Sequence, residues 1–295
     1  MIGYLFLAIA LFAGTTKGYC GKKISGRAEG LKSAVFANFI RMLFCIAIGF
    51  FLIALGGELA SLRPSSVLLF TAALSGATTA VFVVSWLLSV RKSAYMMLDI
   101  FLMMGVLIPL IGSYLLFAEE ICLRQWIGMG FLFIAVVLMC SYHHSLKGKL
   151  TFPALLLLLL CGIANGLTDL SQKLFSEWGA GQSVAAFNFY TYLFSALILG
   201  IVFLLIPRER SAEKSANIGK TWPLILLMAV CLFANSYFKT LAAKSLPAAV
   251  LYPLNQGSAL ILSLGMAAIF FKEKITAKSI LGVGIAFVGL LLMNL

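Results

Sequence analysis

The sequence predicts an all-α integral membrane protein, with ten transmembrane helices arranged as two inverted five-helix repeats. Three observations predict it. Hydrophobic residues make up 62% of the 295 residues and charged residues only 11%, against roughly a quarter charged in soluble domains; a soluble core of this size has no use for so much apolar surface. A span needs about 20 apolar residues, and the apolar stretches, joined by short connections, leave room for about ten. The third observation is that the chain is a unit written twice. Tyr252 to Leu295 reads as two apolar helices joined by the charged turn FKEKITAKS, and an earlier stretch repeats that layout with FAEEICLRQ followed by IGMGFLFIAVVLMC. An offset of about 154 residues sets Glu119 on Glu273, Arg124 on Lys278, Gly128 on Gly282 and Gly130 on Gly284. Phe133, Leu138 and Met139 then fall on Phe287, Leu292 and Met293.

In order along the chain, the spans are expected at 2–20, 33–55, 66–89, 93–117 and 121–141, then at 153–175, 183–206, 222–243, 247–271 and 275–294. The first repeat is residues 1–146 and the second 147–295, both within one membrane domain. The first stretch lacks a basic leading segment and runs straight into a basic loop, so it reads as helix 1 and not as a cleaved signal. Helix 1 carries Gly14, Gly18 and Gly21, and helix 6 carries Gly162 and Gly166, small residues at a spacing that lets helices pack closely. The longest connections, Gly21–Lys32 and Pro207–Lys220, are basic and too short for a soluble domain. The six cysteines, Cys20, Cys45, Cys122, Cys140, Cys161 and Cys231, show no metal-like spacing and read as small packing residues.

Orientation follows from Lys and Arg in short loops. The odd-numbered loops carry Lys22, Lys23, Arg27, Lys32, Arg91, Lys92, Lys147 and Lys149, then Arg208, Arg210, Lys214, Lys220, Lys272, Lys274 and Lys278. The even-numbered loops carry little beyond Arg63, Arg124 and Lys244. This bias puts the odd loops in the cytoplasm and both termini outside. Five spans per unit is an odd number, so the second unit enters from the opposite side, which is why the repeats are expected to be inverted. The net charge of +12 therefore belongs to loops at a membrane face and implies no nucleic-acid partner.

Ionisable groups inside a span each ask for a partner, a watery cavity or a route to the interface. On helix 6, Asn165, Thr168, Asp169 and Gln172 recur at i, i+3, i+4 and i+7, a polar stripe expected to face a cavity. Helix 8 carries Asn235 and Lys239 on one face; helix 9 carries Tyr252, Asn255 and Gln256. Counted from their helix ends, Asn165, Asn235 and Asn255 fall at one level, roughly 18–20 Å from the cytoplasmic side of a core about 30 Å thick, and read as a binding layer; with Thr168, Asp169, Gln172, Lys239, Tyr252 and Gln256 they are the expected substrate-binding residues. Asp169 and Lys239 fall at roughly 25 Å, towards the outer face, and Lys17, Arg41 and Asp99 at roughly 8–12 Å, as an inner charged cluster. Lys17 and Lys173 lie near helix ends, where a long side chain reaches the interface; Arg41 is deeper. For Asp169, an ion pair with Lys173 or Lys239 competes with a functional role. Tyr252 also reads as an interfacial aromatic. Glu119 and Glu273 read as caps or partners of Arg124 and Lys278. His143 and His144 have no third ligand nearby, so no metal or cofactor is implied.

The terminal pair of helices resembles the last two helices of small multidrug resistance proteins, and the whole chain resembles the ten-helix, EamA-type branch of the drug/metabolite transporter superfamily. Tyr252, Pro253, Leu254 and Gly257 carry the resemblance, together with Glu119, Glu273 and the glycines of each final helix. It implies a secondary transporter in the cytoplasmic membrane, working by alternating access. In the small multidrug resistance relatives the position after Tyr-x-x is a tryptophan and the first helix carries a glutamate; here these are Asn255 and Lys17. Those departures point away from cationic, aromatic drugs and towards a small polar metabolite, with a multidrug exporter of cationic compounds as the alternative. A membrane enzyme acting on lipid-linked substrates would need a nucleophile–base or metal constellation, and the sequence offers only His143 and His144. The expected partners are a small-molecule substrate, the bilayer, and protons or another coupling ion, with a monomer as the working unit.

Overall fold

In lipid, the backbone N–H and C=O groups of an apolar run have no partner outside the run itself, so each run closes into a helix. The computed structural model describes residues 2–26, 30–92, 95–147, 151–207, 221–270 and 277–294. These residues form α1 (Ile2–Ser25), α2 (Gly30–Leu55), α3 (Ser66–Lys92), α4 (Tyr95–Met104), α5 (Leu107–Phe117) and α6 (Leu123–Lys147). The second half forms α7 (Phe152–Trp178), α8 (Val184–Leu205), α9 (Trp222–Ala243), α10 (Ala248–Ile269) and α11 (Ala277–Asn294). Among the described residues the only other element is a 3-10 turn at Leu59–Leu62. Glu273 and residues 208–220 lie outside the described residues, as do the side chains of His143, His144, Arg91, Lys92 and Lys278.

Among the described residues, six helices, α1, α2, α3, α7, α8 and α9, are long and apolar enough to cross a membrane. The outward faces agree. Phe12, Leu55, Phe152, Leu204 and Leu205 are all exposed, an apolar perimeter that suits lipid. Inside, large side chains such as Trp86, Phe101, Tyr192 and Tyr252 are buried where helices from the two halves meet. α1 packs on α9, α2 on α8, α3 on α7 and α8, α4 on α10, and α6 on α11. The chain is a multi-pass, all-α membrane protein.

The expected single span at 93–117 is broken. α4 stops at Met104 and α5 starts at Leu107. Pro109 has no N–H to give the Gly105 carbonyl four residues back, and its ring crowds that carbonyl. The turn tightens in response: Ile108 N–H donates to Gly105 O at 3.1 Å and Val106 N–H to Met103 O at 3.0 Å, before Leu110 N–H to Val106 O at 3.3 Å resumes the helix. The break lies against α7. A Cβ on Gly105 would overlap the Gly162 carbonyl oxygen, and one on Gly166 would overlap the Gly105 carbonyl oxygen, so the backbones meet with no side chain between them.

Candidate functional site

The four polar residues of α7 fan across about a quarter turn of the helix, wide enough to reach several neighbours instead of one cavity. Thr168 is at one edge, its hydroxyl 3.0 Å from that of Thr78 on α3 and 2.8 Å from the Ala164 carbonyl. Gln172 donates to Ser236 on α9 at 3.1 Å, and Ser236 donates to Asn188 on α8 at 2.6 Å. Asp169 is fully buried and receives a hydrogen bond and ion pair from Lys239 of α9. The Tyr252 hydroxyl donates to the Asp169 backbone carbonyl at 2.8 Å, so Tyr252 is a core residue, not an interfacial one. Only Asn165 of the stripe lines the cavity; a single polar face turned to one cavity was the sequence expectation, and the width of the stripe is why it divides.

That cavity, of about 80 Å³, lies among α1, α3, α4, α7, α9 and α10. Its polar walls are Asn165, Asn235, Asn255 and Gln256, together with the charged groups Lys17, Asp99 and Lys239. Asn235 donates to the Ala10 carbonyl of α1 at 2.7 Å. Asn165 Nδ2 and Asn255 Oδ1 are buried and have no hydrogen-bond partner among the described residues. Both residues line the cavity, and away from bulk water a hydrogen bond made to either amide is stronger than in water. Lys17 also lies 5.7 Å from the centroid of the Phe82 ring, and it shares a second, smaller recess with Arg41.

Beyond the Asp169–Lys239 pair lies a layer the sequence reading did not single out. Lys173 is 2% exposed and pairs with both Glu119 and Glu177 at 2.7 Å; it does not reach out to the interface. Ala118 sits in the left-handed region at φ 53° and turns the chain so that Glu119 faces inward. Glu119 then accepts from the Ala248 N–H at 3.0 Å, capping the start of α10 and not its own turn. The Asn188–Ser236 contact was missed as well. A signal existed for it: Asn188, Thr191 and Ser195 recur at i, i+3 and i+7 on α8 and are all buried. Of the described cysteines, Cys20, Cys45, Cys161 and Cys231 are buried, while Cys122, before α6, is exposed.

A model of the EamA-like transporter family matches residues 152–295. The chain is also 31% identical, over 111 residues, to the quaternary ammonium compound-resistance protein QacG of Staphylococcus sp. (strain ST94), an alignment that spans 92% of that protein and 36% of this chain. A crystal structure of another protein superposes over 96% of this chain and 95% of its own with a TM-score of 0.67 at 11% identity, a likeness of fold alone.

Proposed function

Because the chain belongs to the drug/metabolite transporter superfamily, we propose that it is a secondary transporter that carries a small polar metabolite across the cytoplasmic membrane by alternating access. One observation carries this reading: a cavity between helices of both halves presents a buried amide donor and a buried amide acceptor, on Asn165 and Asn255, that the described residues leave unbonded. In this reading Asn165, Asn235, Asn255 and Gln256 contact the solute, while Thr168, Asp169, Gln172, Tyr252 and Lys239 hold the surrounding frame. Residues 1–146 and 147–295 act as two inverted repeats rocking about that layer. The packing supports the pairing: exchanging the halves turns the α1–α9 contact into α7–α3 and the α3–α8 contact into α9–α2, while α2–α8, α4–α10 and α6–α11 each join a helix to its counterpart.

The contacts at the expected outer side support an inward-facing conformation. Ser183 donates to Glu58 at 2.8 Å, Ser65 to Gln182 at 2.8 Å, and Tyr190 to the Leu62 carbonyl at 2.8 Å. With the Glu119–Lys173 pair, these bonds tie connections of one half to helices of the other at that side. The cavity instead runs from the amide level towards Trp86 and Met266, at the inner ends of α3 and α10.

The test is counterflow in proteoliposomes, screened over labelled polar metabolites, since a carrier accelerates exchange and a channel does not. Asn165→Ala and Asn255→Ala are each expected to weaken the transported solute's binding several-fold, at about 0.5–1.5 kcal/mol per lost hydrogen bond. Asn235→Ala should in addition lower thermal stability, because it also releases the α1 backbone. Unchanged affinity in all three would reduce the layer to helix packing. Orientation is checked at Cys122: a membrane-impermeant maleimide is expected to label intact cells carrying the wild-type protein and not those carrying Cys122→Ser. Labelling only after permeabilisation would invert the topology. The match to QacG favours a second reading, an exporter of cationic compounds; it requires raised tolerance of cells to a quaternary ammonium compound. Lys17 on the cavity wall opposes it, since Lys239 is paired with Asp169, whereas Asp99 on the same wall favours it.

A further inference from the structure

The cavity and its adjoining recess carry two cations, Lys17 and Arg41, against one carboxylate, Asp99, outside the Asp169–Lys239 pair. Arg41, on α2, is 2% exposed, and its Nε has no hydrogen-bond partner among the described residues. Lys17, on α1, lines both the main cavity and the recess of about 10 Å³ that it shares with Arg41. Among the described residues neither cation has a carboxylate within ion-pair reach; the contact found for Lys17 is the face of Phe82. The other charged groups at the cavity are engaged: Lys239 by Asp169, and Asp99 by an interaction of its own.

We propose that Lys17 and Arg41 bind the anionic oxygens of the solute, a carboxylate or a phosphate group, so that the substrate class is small organic anions. Two like charges held together away from water repel each other and lose hydration, an arrangement that persists where a counter-charge is supplied. A guanidinium presents a planar fork suited to two oxygens of one such group, and an ammonium adds a point charge. Phe82, Val83 and Trp86 wall the recess with apolar surface, which lowers the local dielectric and strengthens the attraction. Asn165, Asn255 and Gln256, further along the same cavity, are left to bind the polar body of the solute. The site thereby selects against cations, the opposite preference to that named for the QacG relative. That the bound anion is also transported rests on the carrier reading above.

The test uses the full chain purified in detergent, with thermal unfolding followed at constant ionic strength. Succinate and inorganic phosphate are the anionic probes and tetraphenylphosphonium the cationic one, and a ligand that binds the folded state alone raises Tm. At least one anion is expected to raise Tm saturably and the cation is not. Arg41→Gln and Lys17→Gln should each weaken that anion about 10–100-fold, the range for losing a charged hydrogen bond. Arg41→Lys, which keeps the charge but not the fork, should retain part of the affinity; it also serves as the reporter if Arg41→Gln does not fold. Stabilisation by the cation alone, by neither anion, or by an anion equally in wild type and Arg41→Gln overturns the proposal. Counterflow separates the two readings. Counterflow of an uncharged or zwitterionic solute without anion binding rejects the anion site and keeps the carrier; anion binding without counterflow keeps the site and rejects the carrier.

Discussion

Lys239→Gln is expected to destabilise the protein by about 3–5 kcal/mol, the range for removing one partner of a buried ion pair, and to abolish transport. Asp169 is fully buried, and Lys239 is its ion-pair partner. The neighbouring Tyr252 hydroxyl is bonded to the Asp169 backbone, not to its carboxylate, so it gives no charge compensation. Asp169→Asn leaves the lysine facing an amide and should be harmful for the same reason. Exchanging the two residues in one chain restores opposite charges at the same place and should recover part of both stability and transport, which neither single substitution does. Thermal unfolding in detergent and counterflow in liposomes read the two effects separately. A different result assigns a different role: Asp169→Asn with intact exchange but no pH-driven accumulation makes Asp169 a proton carrier. Wild-type behaviour of Asp169→Asn removes both roles.

Gly166→Ala is expected to lower stability by about 1–3 kcal/mol, as overpacking does, although alanine favours a helix by up to about 1 kcal/mol. The new Cβ would meet the Gly105 carbonyl oxygen, which is backbone and cannot move to another rotamer, and then the Ile108 side chain. The only relief is to separate α7 from the break between α4 and α5, which would also pull Asn165 away from the cavity. Solute affinity should therefore fall together with Tm. Gly130→Ala is the matched control, since nothing lies within 4 Å of its added Cβ; its Tm is expected to hold or rise. Equal Tm values for the two variants would mean that the helix contact at Gly105 is loose.

The common level of the three amides was legible because depth is a one-dimensional property. Counting residues along α7, α9 and α10 set Asn165, Asn235 and Asn255 at one height, and those three line one cavity. The same count set Asp169 level with Lys239, which pair. Direction around a helix was less legible. A stripe about a quarter turn wide reads as one face in sequence, yet Thr168 turns to α3, Gln172 to α9 and Asp169 to Lys239. Glu119 shows the same limit: its charge suggested a cap within its own turn, whereas its partners are Lys173 and Ala248, more than fifty residues away in sequence.

By itself, the sequence determined the solvent of this protein, the number of its apolar runs and their approximate ends, because hydrophobic transfer and backbone hydrogen bonding in lipid act on each run separately. The broken fourth span was half written there: Pro109 removes a backbone donor wherever it stands in a helix, but the break lies against α7 because Gly105, Gly162 and Gly166 face one another. Only the tertiary structure decided which polar groups satisfy each other and which remain unbonded beside the cavity. Whether Asn165 keeps an amide for a solute while Gln172 spends its own on Ser236, and whether Lys239 finds a carboxylate while Arg41 does not, depends on how helices from distant parts of the chain are rotated against one another. That rotation is set by the fit of whole surfaces, to which no single residue's position in the sequence corresponds.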